Sequence, residues 1–381
     1  YFIINNTQKT LLKFIGKFDD ILFIHYIMLH LILIVGWRGR GAVLSTYGAL
    51  MCVGAAGNVG VLAALLARRR RSRVDLLMKH LAVADVCVTC GVIPLEIGWK
   101  WTNAWLVGNL LCKLLLVMRA FGLYLSSNIL VCISIDRFFA VLYPLKLSVA
   151  RRRSRQMLCG AWAAALACSL PQSAVFRVLQ HPRVAGFEQC VSFGAFPSAR
   201  LELAYNVFCL AAMYFLPLLV ITACYVCIFI EIRRSSNDLS DRRATQVRRV
   251  RLRRSEAGVL QRARRRTLRM TVTIVAVFAL CWLPYATMAM WYMVDRGSAS
   301  RVPAQVQDLL FAAAVSNSCM NPLVYGSYAL DKTMMGVVVP KKIKLTVGEQ
   351  SFGTNGRARP EKYHGFTENR PERALALCFA E

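Results

Sequence analysis

Residues 44–67 read LSTYGALMCVGAAGNVGVLAALLA and are followed at 68–73 by RRRRSR. The first stretch carries no charged residue, and about 20 mostly apolar residues suffice for a helix to cross the hydrocarbon core of a bilayer. The basic residues that follow favour the cytoplasmic side of the membrane. This junction therefore predicts a transmembrane helix whose C-terminal end faces the cytoplasm.

Six further apolar stretches extend this pattern along the chain. Together with the first, the predicted spans are 44–67, 75–99, 109–142, 157–177, 203–232, 264–292 and 305–328. The hydrophobic share of 56% also exceeds that of a typical soluble domain. We therefore predict an all-α membrane protein, a seven-transmembrane-helix bundle that occupies residues 44–328.

The net charge of +28 is concentrated between the spans. The basic segments are 68–73, the arginines at 151–155, and 233–269. These alternate loops share one side of the membrane, and the positive-inside rule makes that side the cytoplasm, with the N-terminus outside and the C-terminus inside. Contact with anionic membrane lipids and a protein partner explains the charge better than nucleic acid, which we do not expect as a partner.

The two ends and the third basic loop are the least informative parts. The apolar run at 21–35 is short for a span, so an eighth helix, a signal sequence and a gene-model artefact all remain open for 1–43. Asn5 begins a glycosylation sequon, which is useful only if that end is exported and retained. The segment 233–263 is expected to be a solvated loop with helical extensions, and the cytoplasmic tail at 329–381 to be disordered.

Two of the fourteen cysteines stand apart from the others. Most lie within apolar spans, where cysteine behaves as a small hydrophobic residue. Cys112 and Cys190 lie in predicted extracellular segments, where an oxidising environment favours a bridge. We therefore predict a disulfide between the outer end of the third helix and the loop after the fourth.

Polar side chains inside the spans are candidates for function, because a charge within the membrane is costly. Asp85 lies in the middle of the second span. The other members of this polar set are Asn58, Ser126, Asn317, Ser318 and Asn321. The set predicts a polar core around the Asp85 carboxylate, with room for a sodium ion and waters; independent helix–helix hydrogen bonds explain it equally well.

Three short motifs mark the third, sixth and seventh spans. Asp136-Arg137-Phe138 ends the third span, where an arginine beside a carboxylate can be held in one state and freed in another. A snorkelling arginine is the simpler interpretation. Cys281-Trp282-Leu283-Pro284 and Asn321-Pro322-Leu323-Val324-Tyr325 each contain a helix-kinking proline. Each motif alone is weak evidence, and their order and placement are what is specific.

With these motifs the chain resembles the rhodopsin-like family of G-protein-coupled receptors, over roughly 44–328. The matching marker residues are Asn58, Asp85, Cys112, Asp136, Arg137, Trp162, Cys190, Pro217, Tyr225, Trp282, Pro284, Asn321, Pro322 and Tyr325. The resemblance implies a plasma-membrane receptor in which ligand contacts near Trp282 favour an outward swing of the sixth helix. Arg137 is then released, and a heterotrimeric G protein binds in the cytoplasmic cleft, with arrestin as a further partner.

The sequence departs from the family pattern at two places. Phe138 stands where the family usually has tyrosine. In many members an acidic residue near the start of the sixth helix restrains the motif arginine, but the run here is Arg262-Ala263-Arg264-Arg265-Arg266. The inactive state must then depend on Asp136 and on packing, so we expect measurable basal signalling.

The ligand class is narrowed by Arg119, which lies two turns below Cys112 on the inward face of the third helix. Amine receptors of the family carry an aspartate there, and a retinal pigment needs a lysine in the seventh span near 313–316, where none is present. Arg119 offers five donors suited to carbonyls or carboxylates, unless it forms a structural ion pair with Glu96.

The remaining ligand-binding candidates lie toward the outer ends of the second and sixth helices and in the loop after the fourth. They are Glu96, Lys100, Trp105, Gln189, Tyr285, Trp291, Tyr292 and Asp295. Glu96 and Lys100 are four residues apart, and therefore share one helical face. For the aromatic members, an interfacial belt at the membrane surface is the alternative interpretation.

A closer resemblance is to the invertebrate adipokinetic hormone receptors, which are relatives of the gonadotropin-releasing hormone receptors. It rests on IPLEIGW at 93–99, RAFGLYLSS at 119–127, His181-Pro182, QCV at 189–191, RTLRMTVT at 266–273 and NSCMN at 317–321. It implies a short peptide ligand blocked at both ends, G proteins of the q and/or s class, and calcium and cyclic AMP signals that mobilise energy stores. Receptors for corazonin or other peptides like gonadotropin-releasing hormone are the nearest alternative.

Two other protein classes fit the sequence less well. A membrane transporter would show internal repeat symmetry or paired broken helices, and neither is apparent. An enzyme would show a nucleophile with its base, or a set of metal ligands, within the spans. We therefore expect neither an enzymatic activity nor a cofactor.

Overall fold

The computed structural model describes the backbone of residues 39–68, 72–143, 149–245 and 254–329. Within these ranges it describes all side chains except those of 233, 235–245, 254–267, 269, 270 and 325–329. The predictions for the first 38 residues, including the sequon at Asn5, lie outside the described residues. So do those for the tail after 329 and for the middle of the third basic loop.

Seven long helices follow the order predicted from the sequence. They are α1 (Arg40–Leu66), α2 (Arg73–Thr102), α3 (Gly108–Leu142), α4 (Ala150–Ser169), α5 (Ala199–Leu210, continued by Ala211–Phe215 and Leu216–Thr245), α6 (Arg254–Val294) and α7 (Ala304–Ala329). The first six contain a segment long and apolar enough to cross a membrane. In α7, residues 311–322 are all buried among the other helices. The predicted seven-helix bundle is confirmed.

The helix bounds differ from the predicted spans at their polar ends. α4 begins at Ala150 rather than at 157, because its arginine-rich first turns are helical although they are not apolar. It ends at Ser169 rather than at 177, where Arg177 already belongs to a β-strand. Hydropathy marks the part of a helix that lies in the bilayer and not the point at which the helix ends.

The predicted helical extensions into the third basic loop are confirmed. α5 continues to Thr245 and α6 begins at Arg254, so both helices run beyond the apolar spans.

At the other end of the bundle, α1 begins at Arg40, directly after Gly39 with a φ of 107°. That left-handed backbone suits glycine and separates the helix from the preceding chain.

Two helices contain a π-helical turn, and each turn lies just before a proline. In α2 the turn is Val88–Val92, and Pro94 follows; in α5 it is Ala211–Phe215, and Pro217 follows. Proline lacks the N–H that would complete the α-helical pattern, and its ring clashes with the carbonyl four residues earlier. A π-turn carries one extra residue and rotates everything beyond it about the helix axis, so it decides which side chains of α2 face the bundle.

α1, α2 and α7 meet closely around two glycines of α1. A Cβ added at Gly54 would overlap Thr89 of the α2 π-turn and lie 2.7 Å from Cys319 Sγ of α7. A Cβ at Gly57 would lie 2.9 Å from Pro322 Cβ. Buried Asn58 donates through Nδ2 to Gly54 O at 2.9 Å and to Ser318 O at 2.8 Å. The absence of side chains at these glycines lets the three helices approach.

A β-hairpin covers the ends of α2 and α3 on one side of the bundle, which is called the outer side because the sequence predicts it to be extracellular. Its strands β1 (Arg177–Gln180) and β2 (Glu188–Val191) are antiparallel, with Val178 opposite Cys190. Cys190 is joined to Cys112 at the start of α3, so the predicted disulfide is confirmed. The backbone N–H of Trp105 also donates to Glu188 O at 2.8 Å. The hairpin is thereby fixed to α3 and to the α2–α3 loop.

Candidate functional site

An open cavity of about 590 Å³ lies at the outer end of the bundle, between α5, α6 and the hairpin. Its apolar lining is rich in aromatic and methionine side chains, which are Trp99, Phe176, Phe193, Met213, Tyr285, Met288, Tyr292 and Met293. Polar groups at its edge include Asn206, Gln307 and the pair formed by Glu202 Oε1 and Arg296 Nη1 at 3.4 Å. This volume and this mixture of apolar walls with a few polar groups are typical of ligand pockets.

Beside this cavity, four charged side chains from three helices form a connected cluster. Arg119 Nε of α3 lies 2.7 Å from Glu96 Oε1 of α2. Lys100 Nζ lies 3.2 Å from Glu96 Oε2 and 2.6 Å from Asp308 Oδ1 of α7. Neither Arg119 Nε nor Glu96 Oε1 has a partner with hydrogen-bond geometry, so their contact is one of charge. The cluster contains two cations and two anions, so its net charge is zero. Each charged group contacts a group of opposite charge.

Aromatic rings support this charge cluster and connect it to the cavity. The Arg119 guanidinium lies over the Phe311 ring at 4.4 Å, and the ring of Phe311 is 5.5 Å from that of Tyr285, which lines the cavity. The Lys100 ammonium lies 5.5 Å from the Tyr47 ring, and the Tyr47 hydroxyl donates to Asp308 O at 2.8 Å. Phe311 therefore contacts both Arg119 and Tyr285, which lines the cavity.

Asp308 is the member of this cluster that the sequence analysis missed. It lies in the second turn of α7, near the outer end of the predicted span 305–328. A carboxylate so close to a membrane surface can reach water, so it did not stand out as Asp85 did. Asp308 lies about as close to the outer end of its predicted span as Glu96 and Lys100 do to the outer end of theirs. This shared depth could have predicted that Asp308 belongs to the cluster.

Four other predicted ligand-binding residues are used within the receptor. Trp105 is buried against Cys112 and Cys190, and its indole donates to Gly108 O at 2.9 Å. Gln189 accepts from Trp99 Nε1 and donates to Asn103 O, both at 2.8 Å. These contacts hold the hairpin in place. Direct ligand contact by Trp105 and Gln189 stays a prediction.

Trp291 and Asp295 lie at the outer end of α6, where both contact Ser298. The Trp291 indole donates to Ser298 Oγ at 2.7 Å, and the Ser298 N–H donates to Asp295 Oδ1 at 3.1 Å. Hydrogen bonds from the Ser298 side chain and backbone hold the pKa of the exposed Asp295 carboxyl below its usual value. Asp295 thus caps the helical turn Arg296–Ala299. Its contact with a ligand also stays a prediction.

The polar core predicted around Asp85 is assembled in part. Ser126 Oγ donates to Asp85 Oδ1 at 2.9 Å, and Asn321 Nδ2 donates to Asp85 Oδ2 at 2.7 Å. Asn317 and Ser318 lie with Ser126 around a cavity of about 10 Å³, at the lower limit for one water molecule. Asn58 bonds to the Ser318 backbone instead. The carboxylate links α2, α3 and α7, and a sodium ion there stays a prediction.

At the end of the bundle opposite the hairpin, three helices supply donors to one buried carboxylate. Arg137 Nη2 lies 2.5 Å from Asp136 Oδ2, Arg73 Nε of α2 lies 2.9 Å from Oδ1, and Ser154 Oγ of α4 donates to Oδ1 at 3.1 Å. Phe138 packs its ring against those of Phe139 and Tyr143. The expected Asp136–Arg137 pair is present, and Arg73 was not foreseen because the arginines at 68–73 look alike in the sequence.

The aromatic and proline motifs lie between these two ends. Trp282 is buried, with its ring 6.1 Å from that of Tyr285 and 6.2 Å from that of Phe278. Pro284 and Pro322 lie inside α6 and α7, and partly buried Tyr225 packs against the core. The side chain of Tyr325 lies outside the described residues. Trp282 therefore contacts Tyr285, which lines the cavity, and its role in activation stays a prediction.

Comparison with known proteins identifies the class to which this fold and these sites belong. Residues 57–325 match the 7 transmembrane receptor (rhodopsin family) model. The chain belongs to this family and is therefore a rhodopsin-family G-protein-coupled receptor. As a member of this family, the chain is a multi-pass membrane receptor and not an enzyme. The alternative of a membrane transporter is therefore wrong.

Curated relatives place the chain within the family. It is 36% identical over 282 residues to a gonadotropin-releasing hormone II receptor of Clarias gariepinus, which covers 73% of each chain. It is 33% identical over 266 residues to a gonadotropin-releasing hormone receptor of Sus scrofa, covering 69% of this chain and 79% of the relative. The receptor of Rattus norvegicus is also 33% identical, over 265 residues. The chain is thus related to the gonadotropin-releasing hormone receptors.

Proposed function

We propose that this chain is a plasma-membrane receptor for a short peptide hormone of the adipokinetic type, blocked at both ends. Its N-terminus is extracellular and its C-terminus cytoplasmic. Binding of the peptide activates a heterotrimeric G protein of the q and/or s class, which raises calcium and cyclic AMP and mobilises energy stores. Arrestin then binds the cytoplasmic face. The observation that carries the proposal is the aromatic-lined outer cavity beside a fully paired charge cluster.

The paired charges favour a ligand without charged ends. A free ammonium or carboxylate that approached this cluster would have to displace one member of an ion pair, and removing one partner of a buried pair is strongly unfavourable. Glu96 is only 4% exposed, so its charge depends on Arg119 and Lys100 for compensation. A blocked peptide can add hydrogen bonds to Arg119 and leave the pairs intact.

The aromatic and methionine lining favours apolar and aromatic peptide side chains. Burial of apolar surface contributes about 25 cal/mol per Å², and methionine adapts to irregular shapes. The cavity reaches from Phe176 beside the hairpin to Tyr285, whose ring contacts that of Trp282. A bound peptide can therefore act on the α6 residue that the family uses for activation.

The adipokinetic branch is preferred over corazonin and other peptides like gonadotropin-releasing hormone because of the sequence stretches quoted above. Vertebrate relatives tend to exchange the residue types at Asp85 and Asn321, and this chain keeps Asp85 and Asn321. In the structure these two side chains bond to each other at 2.7 Å. Corazonin is the second candidate, since the pocket residues alone do not separate the two.

The test is a calcium and cyclic AMP assay in cells that express the full chain. Synthetic adipokinetic, corazonin and gonadotropin-releasing peptides are each applied over a concentration series, and each is compared with its free-acid form. We expect the adipokinetic peptide to act at nanomolar concentration, and its free acid to be at least about tenfold weaker. A nanomolar response to corazonin alone would change the assignment, and equal potency of amide and free acid would contradict the argument from paired charges.

A further inference from the structure

We propose that Arg73 of α2 is a second counter-charge for Asp136, which keeps this buried carboxylate neutralised when Arg137 leaves it. Arg73 would then promote activation instead of restraining it. The inference rests on the receptor function proposed above, in which Arg137 is released.

The geometry gives Asp136 two cations on opposite oxygens. Asp136 is fully buried, with Arg137 Nη2 at 2.5 Å from Oδ2 and Arg73 Nε at 2.9 Å from Oδ1. Ser154 Oγ also donates to Oδ1, at 3.1 Å. The guanidinium groups therefore occupy different oxygens, and removal of Arg137 leaves the Arg73 contact and the Ser154 bond in place.

Arg73 is held in position independently of Arg137. Ser72 and Asp75 form a capping box at the start of α2, in which the Asp75 N–H donates to Ser72 Oγ at 3.1 Å and the Ser72 N–H donates to Asp75 Oδ2 at 2.8 Å. Arg68 Nη1 adds an ion pair to Asp75 Oδ1 at 2.8 Å. Arg73 begins a capped helix, so it does not need Arg137 to remain beside Asp136.

The sign of the effect follows from burial. A buried carboxylate that loses its only cation is strongly unfavourable, so a lone Asp136–Arg137 pair would oppose release of Arg137. Arg73 has no hydrogen-bond geometry at Nε and acts on Asp136 through charge. Among the residues that the structure describes here, Arg153 is a further cation near this site, and it lies over the Phe139 ring at 3.7 Å. Arg73 thus lowers the energy needed to free Arg137.

The first test is a cycle of variants of the full chain, purified in detergent and unfolded by heat. In wild type either arginine compensates Asp136, so Arg73→Gln and Arg137→Gln should each lower the unfolding midpoint modestly. The double variant should lose several degrees more than the sum of the two. In the Asp136→Asn background this excess should vanish. A simple sum in the double variant would overturn the proposal.

The second test measures nucleotide exchange on a purified heterotrimeric G protein, normalised to the amount of folded receptor, with no peptide added and then with the adipokinetic peptide. We expect Arg73→Gln to slow exchange about tenfold, and Arg73→Lys to restore most of it. Lys79→Gln is the matched control, because Lys79 lies on the same helix outside the Asp136 cluster and the capping box, and should leave exchange unchanged.

Faster exchange by Arg73→Gln would show that Arg73 restrains the receptor, and would overturn the proposal. So would a slowing that persists in the Asp136→Asn background. If the peptide has no effect on any variant but the two arginines remain coupled in unfolding and in basal exchange, the hormone assignment fails while the role of Arg73 stands.

Discussion

Arg119 combines a structural contact with the capacity to recognise a ligand. Its Nε lies 2.7 Å from Glu96 Oε1, which is the ion pair that the sequence offered as an alternative to ligand binding. The guanidinium carries five N–H donors, and its side chain remains 26% exposed. Arg119 can therefore keep its ion pair and still donate to a peptide carbonyl.

Replacing Arg119 with alanine is expected to raise the half-effective peptide concentration at least about tenfold, which corresponds to about 1.4 kcal/mol. The variant loses the donors and leaves Glu96 with Lys100 alone. The measurement is a calcium concentration–response curve at equal surface expression. Lys113→Ala is the matched control, because Lys113 lies on the same helix outside the charge cluster. An unshifted curve for Arg119→Ala would remove Arg119 from the binding site.

At the scale of single residues, the sequence identifies charged residues that are unfavourable within a membrane. It does not identify equally well the residues that pair with them. Asp85 and Arg119 stand out because a charge in a membrane span must have a reason. Asp308 and Arg73 do not, because one lies near a span end and the other lies in a run of arginines. Only the packing of α2 against α3 and α7 shows that Arg73 contacts the buried Asp136 and that Asp308 contacts the half-buried Lys100.

The π-turn of α2 illustrates what hydropathy alone does not reveal about an element. Four prolines lie in the described parts of α2, α5, α6 and α7, and only Pro94 and Pro217 follow a π-turn. The same residue type therefore gives different helix geometry according to its neighbours. The spans were predictable, while the rotation that points Glu96 toward Arg119 was not.

Deletion of Gly91 from this π-turn is expected to abolish peptide binding. The turn would return to α-helical geometry, and Glu96 would rotate about 100° around the helix axis, away from Arg119. Gly91→Ala is the matched control, since an added Cβ meets only Met118 Cε at 3.8 Å. Saturation binding of a labelled adipokinetic peptide, at equal surface expression, measures the effect. Wild-type affinity in the deletion variant would contradict this role of the π-turn.

Gly54 and Gly60 of α1 provide a matched pair for the packing of elements. Gly54→Ala should destabilise the receptor by about 1–3 kcal/mol, because the added methyl overlaps Thr89 and lies 2.7 Å from Cys319 Sγ. Gly60→Ala should have little effect, because nothing lies within 4 Å of its added Cβ. Thermal inactivation of the detergent-solubilised receptor compares the two. Equal stability changes in the two variants would mean that close packing at Gly54 does not control the result.

For the whole molecule, the order of the spans and the position of the basic loops were predictable because the bilayer imposes both. Apolar length decides where the chain crosses, and arginine decides which side a loop prefers. The outer cavity was not predictable, because its lining comes from α2, α5, α6, α7 and the hairpin together. The sequence grouped Tyr285 with Arg119, and the structure adds that both pack against the Phe311 ring of α7.

The balance between the two states of the whole bundle is expected to produce measurable basal signalling. Among the described side chains, the carboxylate that contacts Arg137 is Asp136, and the run at 262–266 supplies no acid. A receptor whose states differ by a few kcal/mol keeps a detectable active population without ligand. Second messenger above that of mock-transfected cells is the measurement. Arg264→Glu, which places a carboxylate in this run, should lower the signal, and Arg264→Gln separates that effect from simple loss of charge. Basal signal equal to that of mock-transfected cells would show that packing and Asp136 suffice to hold the inactive state.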